Sequence, residues 1–537
     1  MTAKAARTDK LDRATILAMV AMSLVVFVIA NDFVAMSVAL PRMEEDLNAD
    51  VSLLQWVINA YALVFGVLIV PGGRLADMFG RLRVLYVGAA IFALFSLIGG
   101  LAPDVYSLIG ARALQGVGGA LMWPAILGLV YAILPGSKAG LAGALVIGVA
   151  GIGNATGPLL GGVLTEFASW RWILLLNVPI TAIAMFVTWR VVKVANPKER
   201  EPIDYAGIVL MSISLISLLI ALTEAPDTGW SAPLVWGGLL LSAAMMGLFV
   251  LRERAAGEAA LIPGSVMSNR PFLYACLAVL AMSPTFFGAL LYLPQYFENI
   301  FDQNPFMAGA SLLPFMAVFA VASFSEPWLL NRIGMKAVIV LGAGGMFLGP
   351  LLLAVFARPE STLLFFVPGM VVLGIGVGLF YSSVTTAALT SLDPTKSSLA
   401  GGLVYMFQVA GGAVGLGITT TIFLAASNAG IADGAADVGV SLTAAETADI
   451  RGVLAGTENA AALLSQFPSE TGQELVSVVT DAFSQGVTWA FSFNAVLSAV
   501  GLAIALFWVA GPLSRFGKDI GVAAAEKDEA ETGPSDL

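Results

Sequence analysis

The chain has 537 residues, of which 58% are apolar and only 12% charged, against roughly 25% charged in an ordinary soluble protein. Its mean hydropathy is +0.89, and the apolar residues arrive in blocks too long for one face of a helix, which excludes a water-soluble enzyme and predicts an all-α polytopic membrane protein. A net charge of -10 leaves no basic face for a nucleic acid.

The chain opens on a basic leader, MTAKAARTDKLDR, which runs into an apolar segment without a small-residue cleavage site. We read that segment as a first span, not a removable signal peptide. At about 20 residues per crossing, fourteen segments follow in order: near 16–40, 51–71, 84–102, 105–131, 139–164, 171–193, 205–225, 231–251, 271–297, 306–330, 337–357, 362–388, 397–425 and 486–511. An even number places both termini on one side. Of the 26 Lys and Arg, only Arg42, Arg171, Arg358 and Arg451 fall outside if the termini are inside, so the positive-inside rule predicts cytoplasmic termini. The longest outer loop, 426–485, carries eight acids against Arg451 alone and is expected to be solvated and partly helical. The tail from Gly511 is expected to be disordered.

Cys276 has no second cysteine to pair with, and the chain lacks histidine, the usual neutral-pH proton switch. Proton chemistry must therefore use carboxylates. An internal repeat is visible in two turns: Pro71-GGRLADMFGRLR-Val84 after the second segment and Glu326-PWLLNRIGMK-Ala337 after the tenth. Gly80 aligns with Gly334 and Asp77 with Asn331, so the fold reads as a duplicated transporter. Eight helices lie between the two turns, which fits a six-helix repeat plus two inserted helices.

Four stretches resemble motifs of the major facilitator superfamily, in particular its fourteen-span drug:proton antiporters. They are the turn Gly73-Arg74-Leu-Ala-Asp77-Met-Phe-Gly80-Arg81-Leu-Arg83; the first-span stretch Asp32 to Pro41; Arg112-Ala-Leu-Gln115-Gly116-Val-Gly118-Gly-Ala120 in the fourth; and Gly148 to Gly162 in the fifth. Val34, Ser37 and Asn331 depart from the usual pattern. The resemblance implies a major facilitator fold of two six-helix bundles: a cytoplasmic N-terminus over 1–15, a first bundle over 16–193, two linker helices over 194–270, a second bundle over 271–511 that includes the outer loop, and a cytoplasmic tail over 512–537.

Asp32 and Arg112 are the charges placed well inside the hydrocarbon layer, where insertion costs at least about 2.5–3.5 kcal/mol. Each lies roughly 10–12 Å from the outer edge at the helical rise, so Arg112 is expected to tune proton exchange at Asp32. Gly153, Asn154, Gly157, Pro158, Gly161 and Gly162 form the antiporter-like stretch, expected to pack closely and shape the outer half. Gly73, Arg74, Asp77, Gly80, Arg81 and Arg83 are expected to latch the cytoplasmic side. Glu326 reads as a solvated residue at a helix end. Trp56, Tyr61, Trp123, Phe286, Phe287, Tyr292, Gln295, Tyr381, Tyr405, Phe407 and Gln408 are candidate cavity residues, which with the Asp32 charge would suit lipophilic cations.

The reading is a proton-driven antiporter of a bacterial cytoplasmic membrane, exporting hydrophobic and cationic compounds as a functional monomer in the bilayer. No cofactor or metal is expected, and no phosphate loop G-x-x-x-x-G-K-[ST] is present. The same motifs would serve an exporter of one metabolite, lipid or antibiotic, and a non-transporting receptor could keep the fold.

Overall fold

The computed structural model describes residues 11–47, 49, 51–134, 138–194, 204–257, 260–454 and 457–509. The tail expected over 512–537 and the leader up to residue 10 lie outside them. Among the described residues, fourteen helical segments are long and apolar enough to cross a membrane, and each coincides with one predicted from sequence.

The first half comprises α1 (Arg13–Leu47), α2 (Val51–Phe79), α3 (Arg81–Gly100), α4 (Val105–Ile133), α5 (Ala139–Phe167), α6 (Arg171–Leu175) and α7 (Asn177–Val191). A hairpin of α8 (Tyr205–Thr228) and α9 (Pro233–Ala256) follows, then the short α10 (Gly264–Met267). The second half holds α11 (Arg270–Asn299), α12 (Pro305–Ala310), α13 (Leu313–Ile333), α14 (Met335–Phe356), α15 (Leu363–Thr390), α16 (Ser397–Asp437), α17 (Ala444–Arg451), α18 (Glu458–Leu464) and α19 (Ser469–Phe507). In a bilayer each backbone donor must be satisfied within its own helix, and side chains cap several starts: Asp104 accepts from the Ser107 amide at α4, and Asn269 from the Phe272 amide at α11.

Small residues set the packing within each half, because without Cβ atoms helix backbones can approach closely. A Cβ on Gly161 would lie 2.4 Å from the Ala35 carbonyl oxygen, and Gly157 and Gly153 meet α1 one and two turns earlier. Gly118 fits α4 against Phe92 of α3, and Gly376 fits α15 against Met346 of α14. The halves meet where α2 lies on α16 and α5 lies on α13 and α15. The inserted hairpin closes on itself through Ser214 Oγ, which donates to the Ser242 carbonyl at 2.9 Å, and α8 rests against both α2 and α16.

The repeat seen in sequence is a repeat in backbone. Gly80 breaks α2 from α3 at φ 101°, and Gly334 breaks α13 from α14 at φ 83°, the left-handed region that glycine occupies without steric cost. The Gly80 amide donates to Ala76 O and the Gly334 amide to Leu330 O, the same bond in each half.

Three sequence expectations change. The turn over 72–83 is helical up to Phe79, with Gly80 as its single break. The segment 171–193 is interrupted at Leu176, where Asn177 starts a new helix. The outer loop 426–485 is mostly helix: α16 and α19 run past the bilayer edge and, with α17 and α18, bury Ile431, Ile450, Leu463, Leu475 and Val479 in a small core of their own. Periodic apolar residues, not length alone, hold that layer.

Candidate functional site

We call the end bearing Arg13, Arg81, Lys336 and Lys396 the basic end, and the end bearing α17 and α18 the acidic end. The deepest polar structure lies in the first half. Asp32 on α1 and Arg112 on α4 are both 0% exposed, and Arg112 Nη1 donates to Asp32 Oδ2 at 2.5 Å. The same nitrogen contacts Gln115 Oε1 at 2.6 Å, and Nε donates to the Val57 carbonyl at 3.0 Å. The guanidinium lies 4.3 Å over the Tyr61 ring, a cation–π contact in a dry setting. Asn177 Nδ2 donates to Asp32 Oδ1 at 2.7 Å, and Gln115 Nε2 to Ser96 Oγ at 2.8 Å. Five helices thus converge on one carboxylate–guanidinium pair.

Sequence reasoning placed Asp32 and Arg112 at one depth and missed Asn177 and Ser96. A charge inside a span is conspicuous, whereas a neutral polar residue is common there. The one signal for Asn177 was its place in the Leu176-Asn177-Val178-Pro179 stretch, where proline lacks the amide that continues a helix.

At the basic end, Asp77 reaches from α2 to the start of α16. Its Oδ2 accepts from the Leu399 amide at 2.8 Å and its Oδ1 from the Ser398 amide at 3.2 Å, so one half supplies an N-cap to a helix of the other. A carboxylate there satisfies orphan amides and meets the positive end of the helix dipole. Arg81 holds Asp77 at 3.2 Å and donates to the carbonyls of Gly128 and Pro394 at 3.0 and 2.6 Å. Gly73 makes room, since a Cβ there would lie 2.6 Å from Ser398 O. Arg74 is buried, but Arg83 is exposed and does not join the contact. Above this seal, Tyr131 and Thr386 hydroxyls meet across the halves at 3.0 Å.

The acidic end has its own tie. Arg171 and the Trp170 indole both donate to Asp46, and the Arg171 contact foremost holds that carboxyl below the usual range. Along α5, Pro158 meets Gly309 and Gly162 meets Phe306 of α12, so the antiporter-like stretch touches the second half as well as α1.

Glu326 departs from expectation. It is 0% exposed, and among the described residues neither carboxylate oxygen has a hydrogen-bond partner. Because α13 continues about two turns beyond it, Glu326 faces Gly140 of α5, whose Cβ would lie 3.2 Å from Oε2, instead of facing water.

Among the described residues, two spaces between the halves bear on the site. A central cleft of about 60 Å³ is lined by Asn154, Trp123, Phe286, Tyr381, Tyr405 and Gln408 among others. It is closed by rings: Trp123 and Tyr405 are 4.8 Å apart, and Phe286 and Tyr381 6.0 Å. A larger cavity of about 440 Å³ lies nearer the acidic end between α2, α8 and α16, and Phe65 and Phe287 line both. Trp56 lines the larger one. Tyr61, Tyr292, Gln295 and Phe407 line neither: Tyr61 stacks on the arginine, and Tyr292 is buried against Phe423 with its hydroxyl on Thr420. The Asp32 carboxylate also lines neither, because Arg112 and Asn177 occupy it.

This architecture has relatives. The sequence profile described as Major Facilitator Superfamily matches residues 22–416. The chain is 34% identical over 410 residues to the puromycin resistance protein pur8 of Streptomyces alboniger, covering 75% of this chain and 80% of that one. It is 34% identical over 434 residues to the cephamycin export protein CmcT of Amycolatopsis lactamdurans, covering 78% and 87%. The human organic anion transporter MFSD10 shares the fold at a TM-score of 0.58 and 11% identity, covering 92% of this chain and 100% of that one. With the duplicated helices, the breaks at Gly80 and Gly334 and this profile in agreement, the chain belongs to the Major Facilitator Superfamily.

Proposed function

We propose that this protein is a drug exporter of a bacterial cytoplasmic membrane that drives hydrophobic, cationic compounds outward in exchange for protons. Its relatives bear the names of antibiotic resistance and export proteins, and the observation that carries the coupling is the buried Asp32–Arg112–Asn177 cluster. Both neighbours donate to the carboxylate. A proton arriving on Asp32 would confront two donors, so uptake requires those contacts to loosen. Because Arg112 and Asn177 belong to different helices, loosening moves α4 or α7 relative to α1, and this links proton exchange to conformation.

With the basic end read as cytoplasmic, the structure corresponds to a state closed inward by Asp77 and Arg81 and holding its larger cavity on the outer side. Proton uptake from outside would reset the molecule toward the cytoplasm. The chain works as a monomer in this scheme and needs no cofactor beyond the proton gradient.

The test is ethidium efflux from pump-deficient bacteria expressing wild type or Asp32→Asn at matched levels, with and without a protonophore. Proton-coupled export predicts efflux by wild type that is lost both in the variant and on uncoupling. Efflux that survives the protonophore would refute the coupling.

A further inference from the structure

We propose that the cavity on the acidic side is a binding site for lipophilic monovalent cations, in which Glu224 of the inserted helix α8 recognises the charge. This inference takes its biological sense from the export reading above. Asp32 is sequestered by its own partners, so a carboxylate meant for a cationic ligand has to come from elsewhere. Glu224 is the acidic residue in the cavity lining, and no lysine or arginine is among those residues. Its carboxylate makes no hydrogen bond or ion pair to the described residues, although the side chain is partly buried.

The rest of the wall is mostly apolar, with Ile58, Leu63, Leu219, Leu222 and Leu416 beside the rings of Trp56 and Phe287, and its neutral polar residues are Asn59, Thr223 and Thr420. At about 440 Å³ the space falls within the roughly 300–1,000 Å³ of small-molecule sites. An apolar body with one delocalised positive charge suits this wall: area against leucines, rings for the cation, and a carboxylate as counter-ion. An anion would meet an uncompensated like charge.

The position of Glu224 is fixed by the fold. Four residues on, α8 ends at Thr228, and beyond it Trp230 Nε1 donates to Thr421 Oγ1 of α16 at 2.6 Å, which pins the α8–α9 turn to the second half. Gly417 lets α16 approach Leu222 of α8, with its Cβ position 3.3 Å from Leu222 O. Phe65 and Phe287 separate this cavity from the central cleft, so it stands at the outer end of the path between the halves. The inserted hairpin is thereby part of the route, not a spacer in lipid.

The experiment measures binding of tetraphenylphosphonium, and of the neutral triphenylphosphine oxide, to the purified full-length protein in detergent by titration calorimetry. Glu224→Gln should weaken the cation by about tenfold, a modest loss on the affinity scale, and leave the neutral probe unchanged. Glu224→Asp should recover most of the cation affinity. Leu219→Trp, which fills the space without touching charge, should weaken both probes. The proposal is overturned if wild type does not bind the cation, if Glu224→Gln binds it as wild type does, or if both probes weaken equally in Glu224→Gln. Failed ethidium efflux by a wild type that still binds the cation would instead count against the export reading.

Discussion

Arg112 is committed in several directions at once: to Asp32, to Gln115, to the Val57 carbonyl and to the Tyr61 ring. Lysine offers a point charge and cannot reproduce that fork. Arg112→Ala should cost about 3–5 kcal/mol, because it leaves Asp32 buried and uncompensated. Adding Asp32→Asn to Arg112→Ala should recover much of that loss. Thermal unfolding in detergent reads the cycle, and a double variant less stable than Arg112→Ala alone would contradict the pairing. Glu326 presents the converse case, a buried carboxyl with no hydrogen-bond partner to lose among the described residues. Replacing an unsatisfied buried group by an apolar side chain of similar shape is neutral or stabilising, so Glu326→Met should raise the melting temperature. If the carboxyl serves transport, the same variant should lower efflux. Stability and efflux falling together would show instead a plain packing role. Sequence could find Asp32 and Arg112 because charges are rare in mid-span. It misread Glu326 and did not single out Glu224, because a residue near a span's end gives no hint of whether a neighbouring helix covers it.

At the level of helices, every span was legible because a bilayer dictates about 20 apolar residues for each crossing. Their ends were not, because helices continue past the bilayer wherever something packs on them, as α16 and α19 do under α17 and α18. The α1–α5 seam was legible as a run of glycines, and the structure adds what each one meets. Gly161 faces a backbone oxygen that cannot rotate away. Gly161→Ala should therefore separate the helices and destabilise the protein by about 1–3 kcal/mol, with efflux reduced in step. Gly110→Ala on α4, where a Cβ would meet nothing within 4 Å, is the matched control and should stay near wild type, gaining slightly from helix propensity. Equal losses at the two positions would argue against a seam built on close approach.

Across the whole molecule the duplication is imperfect, and the imperfection has a direction. Asp77 caps α16 from the opposite half, whereas its counterpart Asn331 is exposed and makes no such contact among the described residues. Among the described residues the helix-capping latch is therefore present on one side only, with the Tyr131–Thr386 contact beside it, and breaking the latch should loosen that end without unfolding either half. Spin labels at Arg83 and Asn331, exposed at the basic end of each half, report the gap between them. Phe167 and Glu360 do the same at the acidic end, Phe167 being 84% exposed. In wild type the basic-end distance should be short and narrowly distributed. Asp77→Asn keeps the side-chain size but removes the charge that meets the α16 dipole, and it should add a longer basic-end population. If the two halves move as rigid bodies, the acidic-end distance must shorten in the same fraction of molecules. A basic end that lengthens with an unchanged acidic end would mean that the α16 start merely frays, and alternating access would then need a different hinge.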